Sequence, residues 1–192
     1  MKLHRFFGHE IVLGSLVAIL SVLTALVSYQ GSMADSKQNE HEILGMKQLN
    51  DGNAEYLEAN QFIVYDYTMY DGWFTTTDEE KSAYYVENYS EELQEDIAAN
   101  PGDPFSDSYY EAMYATSNEY WDDSGTNFQL ASQFDQKGDR LQLVVLLMAL
   151  GLAFAAWAAL IRPESHLRRV FGLFSIVMLV VGLASYTLAL VA

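Results

Sequence analysis

The chain contains no cysteine. Disulfides, thiolate metal sites and cysteine nucleophiles are therefore excluded, and stability has to come from helix packing and assembly. Proline is nearly absent as well, with only Pro101, Pro104 and Pro163. Long stretches thus lack the residue that most reliably breaks a helix. Positive charge is scarce: 10 Lys and Arg stand against 26 Asp and Glu in 192 residues. Three stretches lack charge altogether. Residues 11–29, 141–161 and 170–191 are 19 to 22 residues long and contain no Asp, Glu, Lys, Arg or His.

Those stretches explain why the mean hydropathy of +0.01 misleads, since two extremes cancel in it. About 20 apolar residues at 1.5 Å rise cross a hydrocarbon core of about 30 Å. A soluble helix of that length would keep a polar face, and these do not. Three transmembrane helices are expected. The first follows Lys2 and Arg5 and precedes Ser32-Met33-Ala34, so it resembles a signal peptide. Its apolar stretch is at the long end for one, and an uncleaved anchor is expected.

Lys2 and Arg5 flank span 1, and Arg162, Arg168 and Arg169 sit between spans 2 and 3. With three crossings both clusters fall on one side, which the distribution of positive charge makes cytoplasmic. Residues 30–140 and the C-terminus then face outward from a cell (inner) membrane. Arg140 is the one basic residue at the opposite interface.

The outward block is strongly acidic, with 24 Asp and Glu against 4 Lys over residues 30–139. That charge excludes nucleic-acid backbones and anionic lipid headgroups as natural partners, since it repels both. It favours cations, a basic partner or a salty medium, and a solvated surface is its simplest meaning. Asp103 with Asp107, and Asp122 with Asp123, are the nearest approach to a Ca²⁺ loop, and neither matches the EF-hand pattern. Weak cation binding is the most they suggest.

Helix signals organise the block. From span 1 through Tyr70 there is no proline, and only Asp51-Gly52-Asn53 favours a turn. One long helix from about Gly8 to Tyr70 is expected, with a kink or break at that triplet as the alternative, and Asp71-Gly72 ends it. Thr77 with Glu80 forms a capping box for a helix over 77–99, stopped at Asn100-Pro101-Gly102. Ser108 with Glu111 forms another, opening a helix over 109–140 that continues into span 2. Ser165 is placed to cap the last helix. Helices over about 30–70, 77–99 and 109–140 make a stalk between spans 1 and 2. At 1.5 Å per residue its long members rise about 60 and 48 Å.

Stripes of small residues indicate packing. In span 1, Gly14, Ala18, Ser21, Ala25 and Ser28 recur at spacings of four and three. Ser117, Ser124, Ala131 and Gly138 recur every seven residues, flanked by aromatics, as in a left-handed coiled-coil seam. Gly151, Ala155 and Ala159 continue the pattern into span 2, and span 3 carries Gly172, Ser175, Gly182 and Ser185. In lipid such faces let backbones approach closely. They pack helix 1 on helix 3 within a chain, or join chains. Eleven of 13 Tyr lie between Tyr56 and Tyr120, away from the spans, which makes them core rather than an interfacial belt. Tyr70, Trp73 and Phe74 in YTMYDGWF are the residues expected to make outward contacts.

Several functions lose support. No ionisable residue lies within a span, as a carrier or pump would require, and no span holds a proline. The four His (His4, His9, His41, His166) are scattered, and no nucleotide-binding or hydrolase motif occurs. No catalytic residue, metal site or cofactor is therefore assigned, and the chain is expected not to be an enzyme.

The order of span, outward helical segment and two-span hairpin resembles a family of uncharacterised bacterial three-span membrane proteins, a domain of unknown function. The resemblance rests on SYQGSMADSKQNE, DGNAEYLEANQF, AYYVENYSEELQEDIAANPGDPF and the RPESHLRR link. It implies no activity. The plan is also similar to chemoreceptor and sensor-kinase input domains, but a third span stands where their output domain would be.

The resulting expectation is an all-α multi-pass membrane protein. Residues 1–29 form the cytoplasmic N-terminus and first span, 30–140 the acidic outward domain, 141–161 the second span, 162–169 the cytoplasmic link and 170–192 the third span. The expected function is assembly or scaffolding in the lipid bilayer, by self-association or as an accessory subunit beside a membrane-protein partner. The alternative is a sensory or cation-responsive module signalling through the stalk.

Overall fold

In a computed structural model, residues 9–191 are described, and they form six helices and no strands. These are α1 (Glu10–Thr75), α2 (Glu79–Glu87), α3 (Glu91–Ala99), α4 (Asp107–Met113), α5 (Ala115–Leu160) and α6 (His166–Val191). Three of them, α1, α5 and α6, are long and apolar enough to cross a membrane. The basic start and His4 lie outside the described residues.

The chain divides into two compact units. The first combines Met1–His41 with Gln129–Ala192 and holds the apolar parts of all three long helices. Leu13, Leu16, Leu20 and Val27 of α1 are buried with Leu141, Val144, Met148, Ala155 and Ala158 of α5. Glycines set the spacing. A Cβ on Gly151 would lie 3.0 Å from the Met178 Cβ and 3.3 Å from Leu20, and one on Gly182 would lie 2.9 Å from Met148. Helix α5 thus touches both neighbours through close backbone approach, the interaction that stands in for the hydrophobic effect in lipid. Phe154 adds stacked and tilted contacts to Phe171 and Phe174. At one end, the Tyr186 hydroxyl donates to Gln30 Oε1 at 2.9 Å. At the other, Arg168 is buried, and its guanidinium donates to the Ile161 carbonyl at 3.0 Å. It therefore satisfies a carbonyl left over at the end of α5. Ser165 Oγ accepts the Leu167 N–H and caps α6. The outer faces of these helices expose Ile11, Val22, Leu146, Trp157, Val180 and Leu188, apolar surface that a bilayer would cover.

The small residues of span 1 do not make these contacts. Gly14, Ala18, Ser21, Ala25 and Ser28 are all exposed, and among the described residues no neighbouring atom lies within 4 Å of a Cβ built on Gly14. The buried stripe is the leucine-rich one beside it. On α5 the small seam is buried at Ser117, Ser124, Ala131, Gly138, Gly151 and Ala155, but Ala159 is exposed and Ala158 takes its place. Gly172, Ser175 and Gly182 of α6 are buried.

The second unit is Glu42–Phe128. Here α1 meets α5 along a seam in which glycine faces aromatic. A Cβ on Gly45 would lie 3.1 Å from the Phe128 ring, and one on Gly52 would lie 2.7 Å from Trp121. Ser124 Oγ donates to the Gly45 carbonyl at 2.8 Å. Polar rungs follow the seam: Asn127 to Gln48, Trp121 to Asn53 and the Tyr114 hydroxyl to Asn60. Tyr56 packs between the rings of Tyr114 and Trp121.

The expected continuity of α1 holds, and several other sequence expectations change. Helix α1 runs without interruption through Asp51-Gly52-Asn53, because Gly52 makes room for Trp121 and Asn53 accepts its N–H. It also continues past Asp71-Gly72 to Thr75. Gly72 is a packing glycine, since a Cβ there would lie 2.5 Å from the Tyr85 ring. The helix expected over 77–99 is two helices, broken at Asn88-Tyr89-Ser90. Asp78, not Thr77, caps α2, accepting the Glu80 and Lys81 amides. The helix expected from residue 109 begins at Asp107 and is interrupted at Tyr114.

Candidate functional site

The short helices and the last turns of α1 gather most of the second unit's aromatic residues. Ile63, Tyr89, Leu93 and Tyr109 are buried there, with Met69, Tyr70, Ile97, Phe105 and Tyr110 packed around them. Two buried carboxyl groups hold this end together. Asp66 of α1 has no exposed surface. It accepts the Ser90 amide at 2.8 Å, the Ser90 hydroxyl at 2.5 Å and the Tyr109 hydroxyl at 2.8 Å. Ser90 Oγ in turn accepts the Leu93 amide at 3.1 Å and caps α3. Asp66 therefore fixes the break after Asn88 and the start of α3 in one contact set.

Asp96 does the same for the next junction. It accepts the Ser106 amide at 3.0 Å, the Ser108 hydroxyl at 3.0 Å, the Asn100 side chain at 3.1 Å and also the Ser106 hydroxyl. Burial pushes the Asp96 carboxyl up, but the bonds from Ser106, Asn100 and Ser108 outweigh it and hold the group below the usual carboxylate range. The expected capping box at Ser108 and Glu111 fails for this reason. Ser106 occupies the cap position but makes no side-chain cap bond, because both hydroxyls are turned to Asp96.

Between these clamps, Phe105 adopts a left-handed backbone conformation with φ 66°. Such a conformation costs a non-glycine residue on the order of 1 kcal/mol or more. The ring packing offsets it: Phe105 stacks on Tyr67 at 4.3 Å and meets Tyr70 and Tyr109 edge-on. The Tyr67 and Tyr110 hydroxyls bond to each other, and that bond with burial pushes Tyr110 up to about 12.

An open cleft of about 350 Å³ lies beside this core, lined by Tyr70, Trp73, Val86, Tyr89, Gln94, Ile97, Pro101 and Pro104. Its size and apolar lining fall within the range of small-ligand sites. The Tyr89 hydroxyl is buried and has no hydrogen-bond partner among the described residues. Burial, then Tyr70 and Asp66, push Tyr89 up to about 12, so it stays a neutral phenol at physiological pH. Of the residues expected at the outward tip, Tyr70 is half-buried and spent on packing, and it meets Trp73 at 5.3 Å. Trp73 is partly open at the cleft, and Phe74 is 74% exposed.

Sequence reasoning missed Asp66, Tyr89 and Asp96. The available signal was positional. Ala59, Ile63, Asp66 and Tyr70 follow the buried stripe of α1, so an acid stands where an apolar residue is due. Among the described residues no three His, Asp or Glu side chains come together so as to hold a metal ion. Asp103, Asp107, Asp122 and Asp123 are exposed. No protein-family model, no curated protein and no solved structure matches the chain, so the resemblances seen in the sequence carry no family assignment.

Proposed function

We propose that the chain is a non-enzymatic inner-membrane protein that acts by assembly, with itself or with another membrane protein. In this reading α1, α5 and α6 cross the bilayer and the N-terminus is cytoplasmic. Residues 30–140 form an outward coiled-coil segment. The observation that carries the proposal is the exposed small-residue stripe of α1. Gly14, Ala18, Ser21, Ala25 and Ser28 share one helix face, and the chain's own packing uses the neighbouring leucine face instead. A small-residue face turned to lipid permits a second helix to approach closely. Outward contact falls to Trp73 and Phe74, large apolar side chains left open at the aromatic end.

The absence of cysteine makes the test direct. Single cysteines replacing Ala18 or Ala25 should crosslink between chains in native membranes, whereas one replacing the buried Leu20 should not. Native mass in nanodiscs should be a multiple of 21.6 kDa or include a stoichiometric partner. A monomer mass together with no crosslinking at Ala18 or Ala25 refutes the proposal.

A further inference from the structure

The acidic segment contains very few cations, and the structure gathers three of the basic side chains of residues 30–140 at one end of the first unit. Lys37, Lys137 and Arg140 line three adjoining clefts of about 410, 280 and 320 Å³ around the last turns of α6. The first two share Phe134, Lys137 and Leu190, and the first and third share Arg140. No Asp or Glu lines any of the three, although the sequence over residues 30–139 carries 24 of them. Lys37 pairs with Glu40 at 2.7 Å. Among the described residues Lys137 and Arg140 form no ion pair, and both are exposed. Their position is the boundary of the apolar stretches, which end at residue 29, begin at residue 141 and end again at residue 191. Apolar surface continues from the cations along α5 and α6 at Leu143 and Leu188.

We infer that Lys137 and Arg140 bind the phosphodiester of an anionic phospholipid, whose acyl chain lies along Leu143 and Leu188. Charge complementarity selects this occupant: two cations with no ion pair among the described residues, no Asp or Glu in the lining, and an apolar track leading from them. The inference rests on the three helices crossing a membrane and is independent of oligomer state. A guanidinium offers a planar pair of N–H donors to two phosphate oxygens, and the Lys ammonium adds a point charge. The net charge of the segment argued against anionic lipid only because it averaged these cations with acids placed elsewhere.

The test is thermal unfolding of the full chain in lipid-stripped detergent, titrated with phosphatidylglycerol. Diacylglycerol, phosphatidylcholine and inorganic phosphate serve as comparison probes. Phosphatidylglycerol should raise the midpoint most. The paired substitution Lys137→Ala and Arg140→Ala should weaken its apparent affinity about 25-fold, at roughly fivefold per cation, and leave the lipid-free midpoint unchanged. Lys47→Ala with Lys81→Ala should leave the response intact. An equal response to diacylglycerol overturns the site, and that comparison needs no variant. So does a response to inorganic phosphate alone, which would indicate a free anion. A paired variant equally destabilised with and without lipid also overturns it, since the cations would then serve only the last carbonyls of α6.

Discussion

Replacing Asp66 by alanine tests whether one buried carboxyl group organises the aromatic end of the second unit. The substitution removes the acceptor for the Ser90 amide, the Ser90 hydroxyl and the Tyr109 hydroxyl. Tyr109 is 1% exposed and the contacts to Ser90 are partly buried, so water does not replace the lost acceptor freely. The Tyr109 hydroxyl and the Ser90 amide are each left unpaired, at about 1–3 kcal/mol apiece. The sum is about 4 kcal/mol, and it falls on α3, whose cap Ser90 is held by Asp66. Hydrogen exchange of the full chain in nanodiscs is the right assay, since it reads local opening. Amides of Glu91–Ala99 should exchange roughly a thousandfold faster, at 1.4 kcal/mol per factor of ten. Amides of α6 should be unaffected. Asp66→Asn, which keeps the shape and one acceptor oxygen, should cost about 1 kcal/mol. Protection of α3 in Asp66→Ala within about tenfold of the parent chain would refute the clamp.

Acid should loosen the neighbouring junction. The Asp96 carboxyl is held below its ordinary 3.8 in the folded chain, so the folded state binds fewer protons than the unfolded one. Its contribution is present above about pH 4 and is lost as pH falls through the folded value. Exchange at residues 100–108 should rise in that window, and Asp96→Asn should remove the dependence. Tyr89 has the opposite sign. Its phenol is raised from 10.0 to about 12, so its contribution is present below pH 10 and is lost as pH rises towards 12. Tyr89→Phe should abolish that alkaline loss and, by deleting a hydroxyl without a partner, leave the neutral-pH melting point unchanged or raise stability by about 1 kcal/mol. Two glycines should respond in opposite directions. Gly52→Ala puts a methyl 2.7 Å from Trp121 and should cost about 1–3 kcal/mol. Gly125→Ala meets nothing within 4 Å inside α5 and should gain about 0.5–1 kcal/mol. Thermal melts of the two variants side by side check both.

The aromatic end was partly visible in the sequence and partly hidden for an identifiable reason. Tyr70, Trp73 and Phe74 stood out because large rings cluster at a helix end, yet their exposure differs and only packing determines it. Asp66 and Asp96 looked like two acids among many. Gly72 read as a helix end and Gly52 as the weak point of a continuous helix, because glycine permits a turn, although in the fold each admits a ring, Tyr85 or Trp121. A local signal cannot separate these two uses of glycine, since both depend only on the missing Cβ.

The sequence by itself determined what depends on composition along the chain. Charge-free stretches of span length, few prolines and seven-residue spacings dictate an all-helical chain with three apolar helices, because hydropathy and helix period are properties of the strand of residues. The tertiary structure alone decided which face of each helix is used. It turned Leu13, Leu16 and Leu20 of α1 inward and Gly14, Ala18, Ser21, Ala25 and Ser28 outward, buried Asp66 and Asp96, and collected Lys137 and Arg140 beside the end of α6. Burial, and the apposition of Lys137 and Arg140 with α6, depend on residues distant in sequence, and only the packing of one helix on another brings them within range.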